Sequence, residues 1–179
     1  MPAETVDLSR FLFGVTAVTM AFAELGLGSA MRAKIAPVQE PAASPIYGVT
    51  IPNGYREWRL VGVAQETGAL DELRAVLGNA PALQAYRAGT LPFPDGTMLV
   101  KLAWKHESST EFPPAFVPGA ATTVQVMVKD STRYAETGGW GFGRFIDGKP
   151  ADEAQHETCF ACHSANVRDH DYVFTRYAP

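Results

Sequence analysis

The chain has 179 residues, 46% hydrophobic, 11% aromatic and 19% charged, enough apolar material for one packed domain with or without an extension. Net charge is -4 and no Lys/Arg cluster occurs, so nucleic acid is not expected as a partner.

At the N-terminus Arg10 precedes an apolar run, Phe11 to Ala23. The run ends Ala21-Phe22-Ala23, an A-x-A cleavage pattern before Glu24, and it is short for a bilayer span. Residues 1–23 therefore read as an export signal, although Glu4 and Asp7 dilute its positive end; a buried or amphipathic helix is the alternative. Residues 24–45 carry Ala36-Pro37, Pro41-Ala42-Ala43 and Ser44-Pro45 with little periodicity, and read as an extended tether. Residues 46–179 are then the domain.

Trp58 to Ala64 has strand composition. Leu70, Leu73, Val76 and Leu77 have helical spacing, yet the segment stops at Gly78 and also suits a short strand. Asn79 before Ala80-Pro81 predicts a capped helix running to about Arg87 and ending at Gly89. Pro94-Asp95-Gly96 is a turn. Thr97 to Trp104 alternates as a strand, with Met98, Val100, Leu102 and Trp104 on a buried face and Leu99, Lys101 and Ala103 on the other. Residues 105–121, with Pro113, Pro114 and Pro118, read as a loop. Thr122 to Lys129 is a strand with Gln125 and Met127 on one face and Val124, Val126 and Val128 on the other. Trp140 to Ile146 is a third, whose Gly141 and Gly143 leave room for something bulky to approach. Asp152 to Thr158 suits a short helix.

After it comes Cys159-Phe160-Ala161-Cys162-His163. This is C-x-x-C-H, the attachment signature of haem c. Two thiols three positions apart can each form a thioether to a vinyl group, and the histidine that follows can ligate the iron. Both cysteines of the chain lie in the motif. Zinc held by Cys159, Cys162 and two of His156, His163 and His170 is a competing reading, but no second C-x-x-C or H-x-x-x-H completes it. A redox C-x-x-C needs a βαβ context that nothing upstream supplies.

Several segments taken together resemble the cytochrome P-460 and cytochrome c′-beta family. They are Asn53-Gly54-Tyr55-Arg56-Glu57-Trp58, Asp95-Gly96-Thr97 with Lys101 four positions on, Val128-Lys129-Asp130-Ser131, Gly139-Trp140-Gly141-Phe142, the haem motif, and Asp171-Tyr172-Val173-Phe174-Thr175-Arg176-Tyr177. The ordered set covers about residue 46 to the C-terminus.

The resemblance implies a mainly β (α+β) fold: an antiparallel sheet with a few short helices, haem c near the C-terminus, and a homodimer. It makes Leu73 to Gly78 a strand. It also implies a five-coordinate iron with an open distal side. One branch of the family bonds a lysine to the porphyrin edge and oxidises hydroxylamine to nitrogen oxides; the other lacks that bond and binds nitric oxide or carbon monoxide. Lys101 falls at the cross-linking position, with Lys105 as runner-up; a solvated strand lysine is the plain alternative. Gln125 falls where the oxidising branch has its distal carboxylate, and an amide cannot serve as a general base. Glu107 or Glu111 could substitute. Arg74 matches a distal arginine. Candidate sixth ligands are His106, His156, His170 and, more seriously, Met127. The expectation is an exported, periplasmic mono-haem cytochrome handling hydroxylamine or nitric oxide, with a redox partner such as another cytochrome c.

Overall fold

The computed structural model describes residues 41–178. The export signal and the tether up to residue 40 lie outside the described residues. Six antiparallel strands form one sheet in chain order: β1 (Arg59–Glu66), β2 (Glu72–Gly78), β3 (Met98–Ser108), β4 (Phe116–Lys129), β5 (Trp140–Ile146) and β6 (Lys149–Pro150). Among the described residues two α-helices, α1 (Ala80–Ala88) and α2 (Glu153–Val167), and three single turns of 3-10 helix accompany the sheet. The expected β-rich fold is thus observed.

Because every strand pairs with its neighbour in sequence, register is read directly across the sheet. Val76, Lys101, Gln125 and Arg144 stand opposite one another, as do Leu99, Met127 and Phe142. Directly opposed residues share a face, so these positions make one wall. Both faces of β3 are covered: Val100 and Leu102 are buried on one, Leu99 and Ala103 on the other. The expectation of a single buried face was too simple, because the second face backs a cavity, described below. β2 is apolar on both sides too, with Val76 buried on one face and Leu73, Ala75 and Leu77 half-buried on the other, and this explains the ambiguous spacing over residues 70–77. A strand apolar on both sides loses its period-2 signature.

α1 forms as its caps dictate. The Asn79 side chain accepts from Ala82 N at 3.1 Å, Pro81 lies in the first turn, and Gly89 closes the helix with φ 63°. Asn79 also accepts from Met98 N at 3.1 Å and donates to Gly96 O at 2.8 Å, so one side chain joins the helix to the start of β3. Asn79→Ala is expected to cost about 1–2 kcal/mol, from the lost cap and its companion bonds. A lowered denaturant midpoint at unchanged m checks this.

Three local expectations need correction. Residues 105–121 are mostly strand: β3 and β4 run on as a hairpin, leaving 109–115 as the loop. Pro118 pairs with His106 of β3 beside a register shift, and β4 pairs with β5 only from Val124 onward, so this stretch has the unpaired side and the irregularity at which a strand proline is tolerated. Gly141 and Gly143 do make room, but for the protein itself. A Cβ at Gly141 would strike the Tyr134 ring, and one at Gly143 would meet Val49 at 3.1 Å. The side chains of their neighbours Phe142 and Arg144, on the alternate face, reach the cavity, which Gly143 also lines. Finally, the domain begins before residue 46. Ser44 is buried, donates to Phe142 O at 2.9 Å and accepts from Val49 N at 3.0 Å, which pins this segment against β5.

Candidate functional site

α2 carries the C-x-x-C-H motif in its interior; the motif does not follow the helix, as the sequence reading had it. Asp152 caps α2 by accepting from Gln155 N at 2.9 Å. Positions 159, 162 and 163 are then i, i+3 and i+4, one helix face. That face meets the sheet wall across a cavity of about 290 Å³. Cys159, Cys162 and His163 line it from the helix; Val76, Leu99, Lys101, Gln125, Met127, Phe142 and Arg144 from the sheet; Glu66 and Arg74 from one end; Val173, Phe174 and Thr175 from the C-terminal segment.

The His163 ring is fixed. Its Nδ1–H donates to the Tyr172 carbonyl at 2.6 Å, since a carbonyl can only accept. Nε2 is thereby left with the lone pair, the form in which imidazole binds metal. Burial, and then the charge of Lys101, push its pKa down against the opposing pull of the Tyr172 bond, which favours the neutral ring. Phe142 and Phe174 each hold the ring at 5.0 Å between centroids. Burial pushes the Cys159 thiol up, the Arg144 guanidinium partly offsetting this, while Cys162 is exposed.

Two free thiols, a tautomer-fixed imidazole and aromatic walls around one slot suit a porphyrin iron. They do not converge as a zinc site would: among the described residues no three His, Cys, Asp or Glu side chains could hold a metal ion together. His156 is fully buried and structural. Its Nδ1–H donates to Asp152 O at 2.8 Å and its Nε2 accepts from Arg144 N at 3.0 Å, tying α2 to β5.

The far end of the cavity is polar. Glu66 accepts from Arg74 at 2.6 Å and from Lys101 Nζ at 2.9 Å, and Glu72 stands 4.0 Å from Lys101. The Lys101 side chain is 16% exposed, so it belongs to the cavity and not to bulk solvent. Gln125 lines the same wall and donates to Thr123 Oγ1 at 3.1 Å. Of the candidate sixth ligands, Met127 lines the cavity; His106 pairs with Asp71 at 2.6 Å and His170 bonds to Val173 O at 2.7 Å, both away from it. Lys105 instead donates to the Leu70 carbonyl, and Glu107 and Glu111 are exposed outside the cavity.

Sequence reasoning missed Glu66 and Arg144. Ending the first strand at Ala64 hid Glu66, which continues the alternation of Gly62 and Ala64. Arg144 shares parity with Phe142 in β5. Its Nε is buried without a hydrogen-bond partner.

Comparison with protein families matches residues 52–175 to Cytochrome P460. No curated protein matches.

Proposed function

Since this chain belongs to the cytochrome P460 family, whose cofactor is a haem, we propose that it is an exported, periplasmic haem c protein that oxidises hydroxylamine to nitrogen oxides. Cys159 and Cys162 would hold the haem covalently and His163 would ligate its iron through Nε2. When bound, the haem supplies an iron centre that accepts electrons from a small nitrogen compound and passes them to a redox partner, such as another cytochrome c.

The observation that carries this reading is a carboxylate inside the cavity. Oxidising hydroxylamine releases protons along with electrons, so a group must accept them. Gln125 has no ionisable group. Glu66 lines the same cavity and has its two oxygens turned to Arg74 and Lys101. Arg74 orients it with a charge-assisted bond. Lys101 presents its Nζ at the same carboxylate. Gln125 can hydrogen-bond a bound nitrogen species from the opposite strand. A homodimer belongs to the same proposal on family grounds.

A second reading has its own support. Lys101 Nζ donates to the Glu66 carboxylate at 2.9 Å, and an ammonium so paired has no lone pair with which to bond to a porphyrin edge. A chain in which Lys101 stays so paired fits a nitric-oxide-binding protein of the cytochrome c′-beta kind.

Lys101→Ala separates the two. If Lys101 is bonded to the haem, the purified ferrous protein is strongly red-shifted, and the substitution returns it to an ordinary haem c spectrum with both thioethers intact. Peptide mass spectrometry of the haem-bearing fragment gives the same answer. A wild-type spectrum already that of ordinary haem c, unchanged by the substitution, assigns the protein to the second reading.

A further inference from the structure

Lys129 and Asp171 sit in two of the segments that mark the family resemblance, yet neither lines the cavity. Lys129 is 5% exposed. A buried ammonium must have its protons occupied. Lys129 Nζ donates to Asp171 Oδ1 at 2.8 Å and Oδ2 at 2.9 Å, and to the Gly138 carbonyl at 2.9 Å. It also lies 5.1 Å from the centre of the fully buried Trp140 ring. Asp171 takes a further bond, from Phe93 N at 2.8 Å.

What this cluster holds is the residue next in line. Asp171 and Tyr172 are consecutive non-glycine residues with φ 49° and 64°. Left-handed backbone at such residues is strained and persists only where its surroundings enforce it. Lys129 grips Asp171 on one side of Tyr172. On the other, the Tyr172 ring occupies the space that a Cβ on Gly138 would need, and Gly138 is the second group bonded to Lys129. The carbonyl so fixed is the one that accepts from His163 Nδ1 at 2.6 Å.

We propose that the buried Lys129–Asp171 pair is the positioning device for His163: by locking the Tyr172 carbonyl onto Nδ1 it sets the orientation and the donor strength of Nε2. This rests on the reading of His163 as the iron ligand. A ring N–H donated to a fixed acceptor makes the opposite nitrogen more basic. A more basic ligand favours the oxidised iron, so the pair holds the reduction potential down. Lys129 and Asp171 touch neither haem nor substrate; they act through Tyr172 and His163.

The sign separates this from a simple charge effect. Removing the Lys129 charge alone would lower the potential by stabilising the more positive iron, whereas losing the lock raises it. The test therefore uses the haem-loaded protein with Lys129→Met and Asp171→Asn together, which leaves net charge unchanged and strands no buried charge. The expected result is a higher reduction potential and a lower Fe–His stretching frequency in the ferrous protein. Asp71→Asn with His106→Gln, the surface pair, should move neither. A folded double variant with wild-type potential and frequency overturns the proposal. Exchange of the His163 ring N–H in the unsubstituted protein decides if the double variant does not fold. Slow exchange with solvent deuterium is expected, and exchange as fast as an unprotected imidazole overturns it. Failure of the underlying reading looks different: His163→Ala would then leave the iron-ligand spectrum untouched.

Discussion

Replacing Cys159 and Cys162 together by alanine should bring covalently retained haem to background on a denaturing gel, while either single substitution leaves one attachment. The geometry makes the two thiols partners: they lie one turn apart on the cavity face of α2 and open into the same slot as His163. They are not equivalent. Cys159 is the more enclosed, with burial holding its thiol protonated to higher pH than an exposed cysteine, and Cys162 is exposed. Haem staining and intact mass are the measurements. Free thiols in the mature wild-type protein, or stoichiometric zinc, would show that the motif serves another purpose.

Glu66→Gln should slow hydroxylamine oxidation by ~10²–10⁴-fold, the usual contribution of a positioned general base. The amide keeps the shape of the side chain and can still accept from Arg74 through its one oxygen, so packing is retained while the carboxylate and its pairing with Lys101 are lost. Gln125→Glu should restore part of the rate in that background, because residue 125 stands on the same wall one strand beyond Lys101. Steady-state turnover with an artificial electron acceptor measures both. Fast wild-type turnover that ignores Glu66→Gln would mean that protons leave by another group; no turnover in the wild type would favour the nitric-oxide reading.

Short-range order was legible in the sequence. Asn79, Pro81 and Gly89 gave α1 its limits, period-2 alternation found parts of β3 and β4, and β5 was read after the Gly138-Gly139 pair. Such signals live within a few residues of one another. The misses share a cause: each depends on a partner far along the chain. Glu66 was cut off by ending the first strand at Ala64, and its pairing with Lys101 lies two strand pairings away. Lys129 is an ordinary strand lysine until Asp171 meets it. Pro118 argued for a loop because nothing local says that this stretch of β4 has an unpaired side. Spacing did nominate Cys159, Cys162 and His163, since the motif is local to one helix, and alternation put Lys101 on a face with Leu99 and Ala103, and Gln125 on a face with Met127. It could not say that all five border one space.

The strand order β1 through β6 also bears on how the molecule is assembled. Each strand joins the one made just before it, with α1 carried in the longer connection between β2 and β3, so no strand has to wait for a later one to find its first partner. A chain emerging N-terminus first can therefore zip residues 59–150 into a nearly finished wall. The groups contributed from the C-terminal side, α2 with its thiols and imidazole and then the Tyr172 carbonyl, come afterwards. During that interval the wall faces water, and the last thirty or so residues are the step that closes it.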